Sequence, residues 1–267
     1  MDITTITNSV KKFNDICPMH GETEFVQVLE FAPKCCLCSA YDQEIERQRQ
    51  YEQSHRERML AQMANCGINV TANGFDAWQY DDVQVERQTK LIKNLTVYAK
   101  SFDCDKPNIL LYGSTGSGKT MLANALARAV FQHQFNQGAI KPSKFIRSAE
   151  ITRLCKENWT DKAKPSEQMV LAELKLFDLL VIDDLGDGDT TGNAANDRSR
   201  LGDLIDGRYQ KKPTIITTNM DLEEIKIFMG DRAWDRYQQK LITVKCDWPS
   251  HRQKLFLNHL CDGERGG

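Results

Sequence analysis

Leu110-Leu111-Tyr112-Gly113-Ser114-Thr115-Gly116-Ser117-Gly118-Lys119-Thr120 decides how this chain is read. An apolar strand breaks into G-x-x-x-x-G-K-T and then into a helix-forming stretch, Met121 to Phe131. A phosphate cradle requires that order. Small residues let successive backbone N–H groups turn inward on the phosphates, Lys119 reaches the β and γ oxygens, and the Thr120 hydroxyl ligates magnesium. The helix that follows adds its positive N-terminal end. Gly113, Ser114, Thr115, Gly116, Ser117, Gly118, Lys119 and Thr120 are therefore the expected site of a nucleoside triphosphate, taken as ATP with Mg2+.

Two downstream segments complete that site. Leu179-Leu180-Val181-Ile182-Asp183-Asp184 is a buried-type strand ending in two carboxylates, about 60 residues after the phosphate loop. Asp183 is placed to hold magnesium, directly or through water, and Asp184 to orient and deprotonate the attacking water. Many related ATPases carry Glu at the second position. Asp is shorter by one methylene, which implies weak or partner-dependent hydrolysis. Pro213-Thr214-Ile215-Ile216-Thr217-Thr218-Asn219 is an apolar strand whose last residue can lie between the carboxylates and the γ-phosphate. Asn also favours helix caps, but in this order Asn219 reads as the sensor of an AAA+ ATPase.

Around these motifs the chain alternates helices and short apolar strands. Glu86 to Phe102 is an amphipathic helix; strands are expected at Asn108 to Tyr112, Lys144 to Ile146, Leu179 to Asp183 and Thr214 to Thr218. Strands separated by helices imply a parallel sheet with helices on both faces, an α/β fold with the ligand beyond the carboxyl ends of the strands. Upstream, Tyr41 to Asn65 is a highly charged helix, and Gly67, Asn73 and Gly74 break the pattern. The expected organisation is a zinc-binding and helical module over 1–65, a linker over 66–75 and an ATPase domain over 76–267.

The chain has 267 residues, 40% hydrophobic and 27% charged, which is ordinary for a soluble protein with one full domain and an appendage. No apolar run approaches the roughly 20 residues of a membrane span, and Met1 to Asn14 lacks the apolar core of a secretion signal. Nine cysteines, an odd number, argue for reduced thiols or a metal in place of a disulfide scaffold. The expected compartment is the cytoplasm. A net charge of −2 gives no bulk attraction to nucleic acid, so such binding must be local or arise in an oligomer.

Cys17-Pro18-Met19-His20 and Cys35-Cys36-Leu37-Cys38 supply two ligand pairs, each with x2 spacing. Cys17, His20, Cys35 and Cys38 would form a tetrahedral zinc site closing a 14-residue loop. Cys36 competes with Cys35, and the C-x2-C spacing favours Cys35. A site with four protein ligands is structural, stapling a module too small for its own core.

Further segments resemble the DnaC-type replicative helicase loaders, whose wider family includes the IstB-like ATPases, over roughly Cys66 to Arg252. Ser148-Ala149-Glu150-Ile151 with Lys156-Glu157-Asn158-Trp159 is similar to the family's inserted helical region. Leu201 to Tyr209 (LGDLIDGRY) precedes the sensor strand as it does in loaders. Gly230-Asp231-Arg232-Ala233-Trp234-Asp235-Arg236 resembles G-E-R-x-x-D-R, and Asp247-Trp248-Pro249-Ser250-His251-Arg252 resembles the closing W-x-S-[YH]-R.

The resemblance implies an arginine finger at Arg236, acting on a neighbouring subunit's γ-phosphate, and a second sensor at Arg252. Arg232 is either the finger or part of a structural ion pair. About 50 residues follow Asn219, too few for a sizeable helical lid, and loaders of this type also lack most of it. The resemblance also implies a hexameric DnaB-type helicase as partner, single-stranded DNA as cargo, and self-association into a spiral or ring on the helicase. The N-terminal module is similar to those of phage-encoded relatives and reads as the helicase-docking part, or as a solvated connector. Trp159 can stack on bases, with Lys156, Arg153, Lys162 and Lys164 meeting phosphates, or pack in the core. Two other functions compete: an accessory ATPase of a transposition system, and an adaptor that uses ATP only to hold its fold.

Overall fold

The first two strands are joined by a tight turn at the Cys17-Pro18-Met19-His20 segment. In the computed structural model, which describes residues 10–28, 32–72, 74–78, 80–81, 83–186 and 194–250, β1 (Val10–Cys17) pairs antiparallel with β2 (Gly21–Val28) from Val10 opposite Val28 to Cys17 opposite Gly21. A two-residue strand, β3 (Lys34–Cys35), adds to β2. Neither strand of the hairpin was expected from the sequence, because VKKFNDIC and GETEFVQV show no clear apolar alternation.

Helix α1 (Cys36–Asn65) follows directly. It has almost no apolar face, and side-chain pairs four apart support it, with Gln48 donating to Glu52, Gln50 to Glu46 and Gln53 to Glu57. The chain divides into two compact units, Met1–Met59 and Leu60–Gly267, with the boundary inside α1.

The larger unit is built on a five-stranded, all-parallel sheet. Its strands are β4 (Asn108–Gly113), β5 (Ser143–Arg147), β6 (Leu179–Leu185), β7 (Thr214–Thr218) and β8 (Leu241–Cys246), in the order β5-β6-β7-β4-β8. Helices α2 (Val85–Lys100), α3 (Lys119–Asn136), α4 (Ser148–Thr160), α5 (Glu167–Leu176), α6 (Ala194–Arg208), α7 (Leu222–Met229) and α8 (Asp231–Gln238) flank it. Ile109, Leu110, Leu111, Leu179, Leu180, Val181, Ile215 and Ile216 have no exposed surface, as expected of central strands covered on both faces. β8 was not anticipated. It is an edge strand with mostly exposed or half-buried residues, so its sequence, LITVKC, carries a weak signal.

Residues 66–72 run along this unit under close restraint. The Phe145 N–H donates to the Cys66 carbonyl at 2.9 Å, and Asn124 on α3 exchanges two hydrogen bonds with Asn69. Arg128 donates to the Ala72 carbonyl. Among the described residues no helix follows β8, and none is long and apolar enough to cross a membrane.

Candidate nucleotide site and metal cluster

Strand order decides what meets at the phosphate loop. β7 lies between β4 and β6, so the end of β7 falls between the loop that leaves β4 and the carboxylates that end β6. The loop itself turns through Gly116 (φ 79°) and Gly118 (φ 85°), both left-handed, and Gly118 caps α3. A Cβ at Gly118 would stand 2.8 Å from the Trp78 ring, and one at Gly116 would stand 2.1 Å from Ser250 Oγ. Only glycine fits either place. The N-terminus of an 18-residue helix therefore opens onto a closely backed loop of small residues, the arrangement that binds phosphate.

Lys119 is nearly buried and satisfied within the site. Its Nζ donates to Gly113 O at 2.9 Å, Ser114 O at 2.7 Å and Asn219 Oδ1 at 2.8 Å. Ser117 is buried and donates to Ser114 O, while Ser114, Thr115 and Thr120 are exposed at the loop mouth.

Asp183 is fully buried and accepts from the Thr217 hydroxyl at 2.6 Å. Burial pushes its carboxyl upward and the charge of Asp184 adds to this; Thr217, the Thr120 hydroxyl and Arg147 pull it back. Its second oxygen, Oδ2, makes no hydrogen bond among the described residues. A buried carboxylate oxygen without a donor, beside the Thr120 hydroxyl, fits a divalent cation. Asp184 is half-buried at φ 54°, in a bulge where the β6–β7 register shifts between Ile182 and Leu185, and its N–H donates to Thr217 Oγ1 at 2.9 Å. Asp and Asn enter that left-handed region more readily than other side chains. The backbone thus supplies a reason for Asp at a position where Glu is common.

Arg236 and Arg232 lie one turn apart on α8 and share one carboxylate. Arg232 Nη2 is 3.0 Å from Asp206 Oδ2, and Arg236 Nη1 pairs with Asp206 Oδ1. The Arg236 guanidinium also lies over the Tyr209 ring, 5.6 Å from its centroid. Arg252 lies outside the described residues. Trp159 and Lys156 are on α4, with Lys156 half-buried; the Trp159 side chain is not among those described. Arg153, on the same helix, is engaged by Glu150 at 2.5 Å and by Glu157.

In the smaller unit the ligand atoms of Cys17, His20, Cys35 and Cys38 all lie within 4.8 Å of one another. Cys17 Sγ is 3.6 Å from Cys38 Sγ, and His20 Nδ1 is 3.6, 3.8 and 3.4 Å from the sulfurs of Cys17, Cys35 and Cys38. Zn–S bonds of about 2.3 Å give tetrahedral edges of about 3.8 Å, so the set fits zinc with little rearrangement. The backbone N–H of Met19, then the His20 side chain, draw the Cys17 thiol down to about 6, toward the thiolate a metal requires. Cys36 is turned away and donates to Glu24 Oε2 at 3.5 Å.

Three residues were given no role from the sequence. Trp248 donates its indole N–H to the Ser117 carbonyl at 2.6 Å, and Trp78 meets it edge-to-face at 6.1 Å, so two tryptophans back the phosphate loop. Trp248 had a signal, the closing W-x-S-[YH]-R; Trp78 had none. Arg208, 2% exposed, donates to the carbonyls of Phe177 at 2.6 Å and Pro213 at 2.5 Å and to Thr214 Oγ1 at 2.9 Å, with longer bonds to Leu174, Lys175 and Asp178. It caps the end of α5 and ties it to β7. Burial lowers its pKa to about 10, which leaves it charged at neutral pH.

Solved structures share this fold. DnaI is 19% identical with a TM-score of 0.52, covering 68% of this chain and 91% of that one. The DnaC helicase loader is 22% identical with a TM-score of 0.51, covering 64% and 95%. The replication initiator DnaA bound to AMPPCP and single-stranded DNA is 16% identical with a TM-score of 0.51, covering 73% of this chain and 56% of that one. No curated protein sequence matches the chain. Residues 37–247, most of the chain, match the IstB-like ATP binding proteins. The parallel β5-β6-β7-β4-β8 sheet, the phosphate loop and that match lead to one conclusion: the chain belongs to the family of IstB-like ATP binding proteins.

Proposed function

We propose that this protein is an ATP-dependent helicase loader, which binds a hexameric DnaB-type helicase in the cytoplasm and delivers it onto single-stranded DNA. The observation that carries the ATPase part is the meeting of Lys119 and Asn219 at 2.8 Å beside a buried Asp183 with an unsatisfied oxygen. The loader part is supported by the fold shared with DnaI and the DnaC loader over nine-tenths or more of those chains.

In this reading Gly113 to Thr120 bind the triphosphate, with the backbone N–H groups at the start of α3 turned to its oxygens. Lys119 exchanges its loop carbonyls for the β and γ oxygens. Thr120 and Asp183 hold magnesium, which supplies positive charge against the phosphates. Asp184 accepts the proton of the attacking water, Asn219 aligns that water, and Arg236 reaches the γ-phosphate of a neighbouring subunit. Arg252 contacts nucleotide within its own subunit. Cys17, His20, Cys35 and Cys38 hold a structural zinc, and the 1–65 module docks on the helicase, with 66–75 joining it to the ATPase domain over 76–267. Trp159 and Lys156 meet the single strand, and the subunits gather into a spiral or ring.

Native mass spectrometry with the source cell's replicative helicase tests this reading. Helicase hexamers carrying several copies of the chain in ATP, lost on deleting residues 1–65, are expected. No complex with or without ATP overturns the loader reading, and capture of a transposase in its place would install the transposition reading. For the site, Lys119→Ala should abolish nucleotide binding. Asp184→Asn should keep binding and lower turnover by about 10^2-fold or more; unchanged turnover would remove Asp184 from its role.

A further inference from the structure

Asp206 holds two guanidiniums with one carboxylate. It lies on α6, two residues before Arg208, whose buried bonds to the carbonyls around α5 and β7 fix the end of that helix. Opposite it, α8 presents Arg232 and Arg236 four residues apart, on one face. Arg236 is held on two sides, by Asp206 Oδ1 and by the Tyr209 ring, and its side chain is 29% exposed. Arg232 takes the other oxygen from a solvent-facing position, 77% exposed.

The charge arrangement has a consequence for release. An ion pair of two partners leaves a half-buried carboxylate alone when one partner departs, and that is costly. Here one partner remains. If Arg236 turns away, Arg232 still neutralises Asp206, so the cost of departure falls to that of a partly exposed pair.

We propose that Asp206 is a latch on Arg236, restraining it until a neighbouring subunit presents a γ-phosphate, and that Arg232 is the counter-ion that makes the latch releasable. Asp206 is thus a positioning residue that opposes engagement, and Arg232 assists engagement without touching nucleotide. The latch rests on the reading of Arg236 as acting on a neighbour's phosphate. It predicts opposite effects for two residues that form parts of one ion cluster, which a merely structural cluster would not produce.

Sedimentation of the full chain with AMPPCP and with ADP tests it. AMPPCP carries a γ-phosphate and is not hydrolysed, so no partner or turnover is needed. The wild type should self-associate more tightly in AMPPCP than in ADP, and Arg236→Ala should erase that difference. Asp206→Asn should tighten association in AMPPCP by about two- to fivefold and leave ADP unchanged, the size expected for release of a partly exposed ion pair. Arg232→Ala should weaken it by a similar factor in AMPPCP alone, and should do nothing further in the Asp206→Asn background. Should Asp206→Asn fail to fold, Arg232→Ala, a change at the surface, carries the test through its AMPPCP-only effect.

Weakened association in Asp206→Asn, like that of Arg236→Ala, would overturn the latch, since Asp206 would then hold the working pose. So would an Arg232→Ala effect that persists without Asp206. A wild type indifferent to the γ-phosphate removes the neighbour-acting reading and the latch together. A wild type that responds to it, with Asp206→Asn unchanged, removes the latch alone.

Discussion

The two units keep their shape by different means. In the larger one, three consecutive residues of β4 are wholly buried, β7 has every residue buried, and the parallel strands satisfy one another's backbone groups. In the smaller one, the buried side chains among the described residues are Cys17 and Cys35, while Ile16, Met19, Leu37 and Tyr41 face solvent. The larger unit has a core whose burial opposes the entropy of folding; the smaller one has a hairpin, a polar helix and four ligands. With the proposed zinc in place, a unit of the second kind depends on the metal for its fold, whereas the first depends on volume.

Metal removal should therefore produce the largest effect of all. A structural zinc contributes on the order of 10 kcal/mol to a module of this kind, so a strong chelator should abolish amide protection over β1 and β2 and leave residues 83–186 protected in hydrogen exchange. Cys17→Ser should do the same, and Cys36→Ser, whose thiol faces Glu24, should retain the metal. Protection of the hairpin that survives chelation would break the comparison.

A middle-sized effect sharpens it from the other side. Leu111→Ala, in the centre of β4, should cost about 2–5 kcal/mol in urea unfolding, whereas Ile16→Ala, 75% exposed on the hairpin, should change stability by about 0.5 kcal/mol or less. Equal losses would mean that the hairpin has an apolar core after all. A further effect, read on nucleotide binding, belongs to the loop backing. Trp248→Phe keeps an aromatic ring but shrinks it and deletes the donor to the Ser117 carbonyl, the lost hydrogen bond alone costing about 0.5–1.5 kcal/mol. Nucleotide affinity should fall about two- to tenfold in a binding titration, and an unchanged affinity would make Trp248 packing alone.

The same division governs what the sequence discloses. Leu110 to Thr120 and Leu179 to Asp184 are legible because burial and phosphate chemistry each demand particular residues at consecutive positions. The hairpin was hidden because its strands are held by strand pairing beside a Cys/His cluster, so Lys11, Lys12 and Glu24 can stand where an apolar face would otherwise be required. β8 escaped notice as a half-exposed edge. The left-handed Asp184 reflects a bulge between two strands, and the Asp206 pairs join residues 26 and 30 positions apart. Neither leaves a local pattern. Trp78 backs the phosphate loop across 40 positions of chain, again with no periodic trace.

Arg208 has a further consequence, for behaviour in concentrated electrolyte. Its direct partners are carbonyl dipoles and a hydroxyl, not a mobile counter-charge, and the shortest of these bonds are buried. Surface pairs such as Lys240 with Asp105, or Lys12 with Glu24, fade as the screening length shrinks toward about 3 Å in molar salt. The joint of α5, α6 and β7 does not share that sensitivity. Raising ionic strength should thus loosen the exposed pairs of both units while the platform that carries Asp206 and leads into Asn219 keeps its bonds.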